Sequence, residues 1–276
     1  MGQILRVARA ALHQWEEPCI SGTSGSGAIF FSGCVLRCVF CQNRQISAEG
    51  YGKTVTPGDL AGMMLRLQKE GAHNIDLVTP TQFAEGIRSA LIMAKEAGLM
   101  IPVVYNCGGY EDVCALRRLK GLIDVWLPDF KYISGEISQR YSSKADYPEK
   151  AKAALSEMVR QAGRCAYDEN GLMVSGVLVR HLVLPGHTKE AKAVLQYLFQ
   201  EYGNRIAYSI LNQYTPLPYV KEHAPELNRR LTKREYERVI NYAMELGITN
   251  GYVQEGDSAR EGFIPAFDGT GVGQET

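Results

Sequence analysis

The chain carries no excess charge of either sign, with thirty Lys and Arg residues against thirty Asp and Glu. Zero net charge gives no broad field to draw it onto nucleic acid or an anionic lipid surface, so neither partner is expected. No apolar run approaches the roughly 18 residues that a membrane helix needs. The opening stretch MGQILRVARAALHQWEE lacks the long apolar segment of a secretory leader. The expected setting is therefore the cytoplasm. A Pro- or Ser-rich linker is also missing, and no segment recurs verbatim, although the architecture itself repeats. What is present is 276 residues with 45% apolar content, enough to bury one large core and too apolar to stay unfolded. Seven cysteines in a reducing compartment read as metal ligands, small buried groups or catalytic thiols before they read as disulfides.

Short apolar strands alternate with amphipathic helices. AIFF (28–31) is the first strand, followed at once by a cysteine-rich loop. PGDLAGMMLRLQKEG (57–71) starts on a proline and stops on a glycine, as a helix does. NIDLVTP then precedes QFAEGIRSALIMAKEAG, and IPVVYN precedes YEDVCALRRLKG. IDVWLPDFK precedes YPEKAKAALSEMVRQAG, SGVLVRHLVLPG precedes TKEAKAVLQYLFQEYG, and RIAYSILNQY precedes TKREYERVINYAMELG. ITNGYVQ adds a candidate edge strand. Six strand–helix units predict an α/β fold with a parallel sheet and helices outside it.

Parallel α/β sheets place their sites at the carboxyl ends of the strands. Applied here, that rule gathers Cys34 to Cys41, Thr79-Pro80-Thr81, Asn106-Cys107-Gly108, Asp129 with Lys131, Pro185-Gly186-His187 and Asn212-Gln213-Tyr214 on one rim. His73 precedes its strand and belongs at the opposite end, in a structural role.

Cys34, Cys38 and Cys41 are spaced C-x3-C-x2-C. Thiolates in a short loop suit an iron–sulfur cluster, and three ligands leave one iron of a four-iron cluster uncapped. A structural zinc with a distant fourth ligand is the alternative, although C-x3-C is unusual for zinc and the chain has no second C-x2-C. Three buried cysteines without metal is the third reading.

The pattern Cys34-x3-Cys38-x-Phe40-Cys41 directly after a first strand resembles the signature of radical S-adenosylmethionine (SAM) enzymes. EEPCISGTSGSGAIFFSGC, CQN, LVTPTQF, DVWLPDFKY, RHLVLPG and GFIPAFDGTGV resemble the branch of pyruvate formate-lyase activating enzymes, over about residues 16 to 272. The resemblance implies a partial (βα)6 barrel over residues 28–255, an N-terminal extension (1–27) packing on it and a C-terminal tail (256–276). It implies a [4Fe-4S] cluster on Cys34, Cys38 and Cys41, with SAM chelating the open iron. Reductive cleavage of the sulfonium would give a 5′-deoxyadenosyl radical that takes a hydrogen atom from substrate, the protein aiming it and excluding water. By the same resemblance Phe40 would be the aromatic residue that packs beside the adenine. Where such enzymes carry Gly-Gly-Glu this chain has Thr79-Pro80-Thr81, so the hydroxyls of Thr79 and Thr81 are expected to take part of the contact to the SAM amino group. Asn106 and Asp129 occupy positions of acidic or amide groups. Asp129-Phe130-Lys131 matches an Asp-x-Lys pattern, in which the carboxylate orients substrate or holds a cation and Lys131 pairs with a carboxylate. Arg180, a charge inside an apolar strand, resembles an arginine that contacts SAM. Gln213 and Tyr214 are candidates for adenosine or substrate contact. Flavodoxin or ferredoxin is the implied electron donor.

His181 faces away from Arg180 on the same strand and reads as a core residue. Cys107 lies on the rim, either as a thiol hydrogen donor or as packing, while Cys114 and Cys165 are expected to be buried small residues. SGTSGSG precedes a strand and not a helix, so it reads as a turn or a lining of the approach to the cluster, not a phosphate loop. Three functions follow: an activase taking a backbone hydrogen from a partner glycyl radical enzyme, a radical enzyme acting on a small molecule or peptide side chain, and a non-catalytic metal-binding protein.

Overall fold

The computed structural model describes residues 4–254 and 265–273. Its strands are β1 (Leu5–His13), β2 (Ser26–Phe31), β3 (Lys53–Val55), β4 (Ile75–Val78), β5 (Val103–Cys107), β6 (Val125–Pro128), β7 (Ala166–Tyr167), β8 (Met173–Leu182), β9 (Ala207–Leu211) and β10 (Gly251–Val253). The helices are α1 (Pro18–Ser21), α2 (Arg44–Ser47), α3 (Pro57–Lys69), α4 (Ala84–Glu96), α5 (Val113–Arg118), α6 (Gly135–Ser142), α7 (Tyr147–Ala162), α8 (Thr188–Tyr202), α9 (Pro218–His223) and α10 (Lys233–Leu246).

Strands β2, β4, β5, β6, β8, β9 and β10 pair in that order, all parallel. β1 and β3 close the other edge antiparallel, and the two edges do not meet, so the sheet is curved and open. Each of the six expected parallel strands is present, and ITNGYVQ does supply the edge strand β10. The helix ends follow local chemistry. Thr56 and Asp59 form a reciprocal capping box at the start of α3, and Thr232 and Glu235 do the same for α10. Gly247 closes α10 in a left-handed conformation. β2, β4, β5 and β6 are buried throughout, as strands covered on both faces must be.

The segment ahead of β2 is more than a covering. β1 hydrogen-bonds along β2 from His13↔Ser26 to Val7↔Phe31, so these residues are part of the sheet. The next turn drops α1 into the amino ends of the parallel strands, where Cys19 and Ile20 pack with Val104, Val125, Leu127, Met173, Leu178 and Ala207. Asn74 Nδ2 holds this plug by donating to the Ile20 carbonyl at 2.7 Å. His73 sits at the same end and accepts from the Ser24 amide at 3.1 Å, in the structural role expected of it. Residues 265–273 run back beside β1, with Ala10 N donating to Thr270 O and Gly269 N to Ala8 O. Phe267 caps a cluster of Ala8, Ala28, Phe30, Ile46 and Val78. Gly271, at φ +68°, lies so near the Ala10 carbonyl that a side chain would collide with it. The expected boundary at 255/256 falls at residues outside those described. No helix among the described residues is long and apolar enough to cross a membrane.

Candidate active site

The loop after β2 is held from both sides. Gly33 N and Cys34 N donate to the carbonyls of Ile46 and Ser47 at the end of α2, while Val39 N donates to the Tyr141 carbonyl of α6. The sulfur atoms are engaged too. Ser142 Oγ donates to Cys38 Sγ at 3.0 Å and Ser47 Oγ to Cys41 Sγ at 3.2 Å. Burial raises the Cys38 thiol to about 12 and raises Cys41 as well. An uncompensated thiolate is costly here, so the sulfurs call for a cation or metal to become ligands.

Cys34, Cys38 and Cys41 open into one cavity of about 250 Å³ at the carboxyl ends of the strands. Phe40, Thr79, Asn106, Cys107 and Asp129 line it, as do Lys131, Arg180, Gln213 and Tyr214. The strand-end rule therefore brings seven of these groups (Thr79, Asn106, Cys107, Asp129, Lys131, Gln213 and Tyr214) together with the sulfur loop, whereas Pro185, Gly186 and His187, expected on the same rim, do not line the cavity. Phe40 meets the Tyr214 and Tyr141 rings edge-on at 6.2 and 6.5 Å, which fixes its orientation. Thr79 has φ +59°, an uncommon and strained conformation for a β-branched residue, held by its amide bond to the Asn106 carbonyl.

Thr81 departs from the expectation. It does not line the cavity, because it begins a short 3-10 turn and its hydroxyl donates to Glu111 at 2.7 Å. Glu111 is buried and receives Tyr105 Oη at 3.0 Å. Burial, and then the neighbouring Glu111 carboxyl, raise the Cys107 thiol well above its ordinary value. Cys114 is a second correction. It is exposed, because it lies two positions from buried Leu116 on α5 and so faces the other way, while Cys165 is half-buried.

The polar floor of the cavity is a charge network. Arg180 spends its guanidinium on Asp129 Oδ1 (2.9 Å), Glu16 Oε2 (3.0 Å) and Asn106 Oδ1 (2.6 Å). Lys131 Nζ sits 2.6 Å from Asp129 Oδ2. Burial pushes Asp129 upward, but Arg180 and then Lys131 outweigh it and hold the carboxyl below its usual range. Burial alone would likewise discharge Arg180 and Lys131, and the facing carboxylates instead raise both. Behind this pair the balance reverses. Burial raises Glu17 to about 7 and Asp76 well above its ordinary value, with Glu16 adding to the Asp76 shift. His181 points out of the barrel to the Phe130 carbonyl at 2.7 Å, and burial lowers it to about 4, the core role expected of it.

Glu16 and Glu17 were not singled out by sequence reasoning. Their one signal is a pair of carboxylates directly before the buried Pro18-Cys19-Ile20 plug, in a segment with no strand or helix signature of its own. Ser47 and Ser142 were equally silent, since a serine that meets a sulfur 104 residues away looks like any other.

Residues 28–198 match the Radical SAM superfamily. An uncharacterized protein of Methanocaldococcus jannaschii is 30% identical over 233 residues, covering 81% of this chain and 63% of that protein. Among solved structures, Streptococcus suis SuiB bound to S-adenosylmethionine superposes with a TM-score of 0.55 at 12% identity, over 81% of this chain and 48% of SuiB. Methylornithine synthase (PylB) superposes with a TM-score of 0.52 at 14% identity, over 86% of this chain and 63% of its own. The chain thus spans less than two thirds of each of these proteins, and at such identities the two superpositions speak to the fold. With the family matched over more than half its length and the same open, mostly parallel sheet, this chain belongs to the radical SAM superfamily, whose members use a [4Fe-4S] cluster and S-adenosylmethionine.

Proposed function

We propose that Cys34, Cys38 and Cys41 hold a [4Fe-4S] cluster and that the adjoining cavity receives SAM and the substrate atom to be attacked. The donor set fits that cluster: three soft thiols of one loop line one cavity, and two of them already accept hydroxyl hydrogen bonds. When bound, the pair supplies one-electron reduction of the sulfonium and removal of a hydrogen atom from substrate. The chain's residues bind and aim. Phe40, fixed between two tyrosines, offers an apolar wall to a planar base. Asp129, kept ionised by Arg180 and Lys131, offers a carboxylate to hydroxyl or ammonium donors. Lys131 and Arg180 offer charge to a carboxylate, although Arg180 must release an internal partner to do so. Gln213 presents a side-chain amide at the rim, steadied by Gln254 at 3.3 Å.

The hydrogen removed belongs to a backbone glycine of a partner glycyl radical enzyme, with flavodoxin or ferredoxin as reductant and the cytoplasm as setting. The likeness of the EEPCISG, DVWLPDFKY and FDGTGV segments to activating enzymes supports this reading. The observation that carries the chemistry is the meeting of three thiols and a half-buried, ion-paired Asp–Lys–Arg set in one cavity. A second reading, modification of a small molecule or a peptide side chain, is favoured by a separate side cavity next to the first. SuiB, solved with its precursor peptide SuiA, gives that reading a precedent on the same fold. The test is anaerobic reconstitution followed by iron and sulfide analysis. The reduced protein is then mixed with SAM and a candidate glycyl radical enzyme, and its electron paramagnetic resonance spectrum is recorded. A glycyl doublet supports activation. Deoxyadenosine released only with a small substrate or peptide supports the second reading, and stoichiometric zinc without iron removes both.

A further inference from the structure

A second cavity of about 400 Å³ lies on the side where the sheet stays open, between the 14–22 segment and the β9–β10 edge. It shares Trp15, Glu16, Arg180 and Gln213 with the cysteine-lined cavity, so the two communicate through one wall. Of its charged lining residues among those described, Glu16 and Glu17 are negative and Arg180 alone is positive. Beyond the lining, Asp76 and Asp129 add two more carboxylates to this set, and among the described residues Lys131 is the further cation acting on it. Arg180 is already used by Asp129, Glu16 and Asn106, and Lys131 by Asp129.

Glu17 is left over. It lines the side cavity, is 9% exposed, and the one hydrogen bond to its carboxyl group among the described residues comes from Ser209 Oγ at 2.9 Å. Deeper in the network, Asp76 Oδ1 is fully buried with no donor among the described residues. Burying carboxylates in excess of cations costs free energy that a positively charged ligand would offset. The remaining walls say which kind of cation. Trp15 and Tyr252 line the space, and aromatic side chains suit an alkyl chain or an ammonium but coordinate no metal. A space of this volume also far exceeds a bare ion.

We propose that this side cavity recognises a primary alkylammonium group, with Glu17 as its counter-ion and the Trp15 and Tyr252 side chains packing its methylenes. The group is carried either by a lysine side chain of a peptide substrate or by a free diamine. The proposal deepens the functional reading above, because it names chemistry that holds a substrate beside the atom-abstracting cavity, and it rests on that reading for its purpose.

The experiment uses the full chain, anaerobically reconstituted, with iron content and the SAM-induced change in the cluster spectrum measured first. Absence of those two signals defeats the cluster reading and leaves the amine titration to be judged separately. Calorimetry then follows cadaverine and the tripeptide Gly-Lys-Gly, each against a neutral isostere, pentane-1,5-diol and Gly-norleucine-Gly. The expected result is saturable binding of at least one cationic probe, at least tenfold weaker for its isostere and for Glu17→Gln. Preference for the peptide assigns a polypeptide source, and preference for the diamine a small-molecule one; either ranking supports the site. Equal binding of charged and neutral probes, no saturable binding, or displacement of the amine by millimolar KCl overturns it. Should Glu17→Gln fail to fold, the charged-versus-neutral comparison on the unaltered chain and the charge-keeping Glu17→Asp variant decide the matter.

Discussion

The same parallel strands end in two unlike regions. At their amino ends Cys19 and Ile20 fill the bore with apolar atoms, and the side-chain polar contacts described there, Asn74 to the Ile20 carbonyl and the Ser24 amide to His73, are between uncharged groups and backbone. At their carboxyl ends the bore holds the three loop cysteines, Cys107 and a dense set of charges beside a strained Thr79, with the raised carboxyls of Glu17 and Asp76 behind them. The first region contributes stability by excluding water. The second gives stability up, holding charges in low dielectric so that they are already oriented when a ligand arrives. Alternate residues of β8 show both within one strand: Leu178 joins the plug, and Arg180 reaches into the charge network.

The largest effects should separate the two ends completely. Cys38→Ala is expected to abolish cluster incorporation, read as loss of bound iron and sulfide, while Cys165→Ala keeps both near the unaltered level. Ile20→Ala should do the reverse, costing about 2–5 kcal/mol of stability through the cavity it leaves while iron content and SAM binding persist. Parallel loss of iron in all three variants would dissolve the contrast between the ends.

Next in size is the charge network. Arg180→Leu strands Asp129 and Glu16 in a buried setting and is expected to cost roughly 3–5 kcal/mol, read as a lower denaturation midpoint. The Arg180→Leu/Asp129→Leu double variant should recover part of that loss, since it removes one of the two carboxylates that Arg180→Leu strands. Additive losses would mean that the 2.9 Å ion pair carries no coupling energy.

Glu17 gives a smaller, pH-dependent contrast. Its folded value of about 7 lies above its ordinary 4.5, so between those values the folded chain binds a proton that the unfolded chain has released. Stability from this group is therefore full below about pH 4.5 and is lost as pH rises through about 7. The loss amounts to about 3 kcal/mol at 1.36 kcal/mol per unit. Glu17→Gln should accordingly be more thermostable than the unaltered chain at pH 8 and show little advantage at pH 5. A pH-independent difference in melting temperature would place the cause of the raised value elsewhere.

What the sequence disclosed follows the range of the interactions. Bursts of Val, Ile and Leu between glycine- and proline-bounded helices made the parallel strands legible, and the strand-end rule found most of the cavity. β1 stayed hidden because its Ala- and Arg-rich run, LRVARAALH, has no strand preference of its own and extends by pairing with β2 and β3. Glu16 was hidden for a related reason: its meaning comes from an arginine 164 residues away. Thr81 was assigned by position along the chain, whereas the turn it begins aims its hydroxyl at Glu111.

The finest distinction falls among the three loop cysteines themselves. Cys38 accepts from Ser142, on an element far along the chain, and Cys41 from Ser47, a few residues on. A donor to a ligating sulfur stabilises the more negative, reduced state of a cluster, so removing one should lower the reduction potential. Ser142→Ala is expected to shift the ratio of oxidised to reduced cluster at fixed solution potential by no more than about tenfold, or about 59 mV for a one-electron couple. Iron content should stay unchanged, and Ser142→Thr, which keeps the hydroxyl, should restore the original midpoint in a redox titration followed by electron paramagnetic resonance. If Ser142→Ala leaves the midpoint in place, the hydroxyl serves only to pin the loop to α6, and the two sulfurs are equivalent to the cluster despite their different partners.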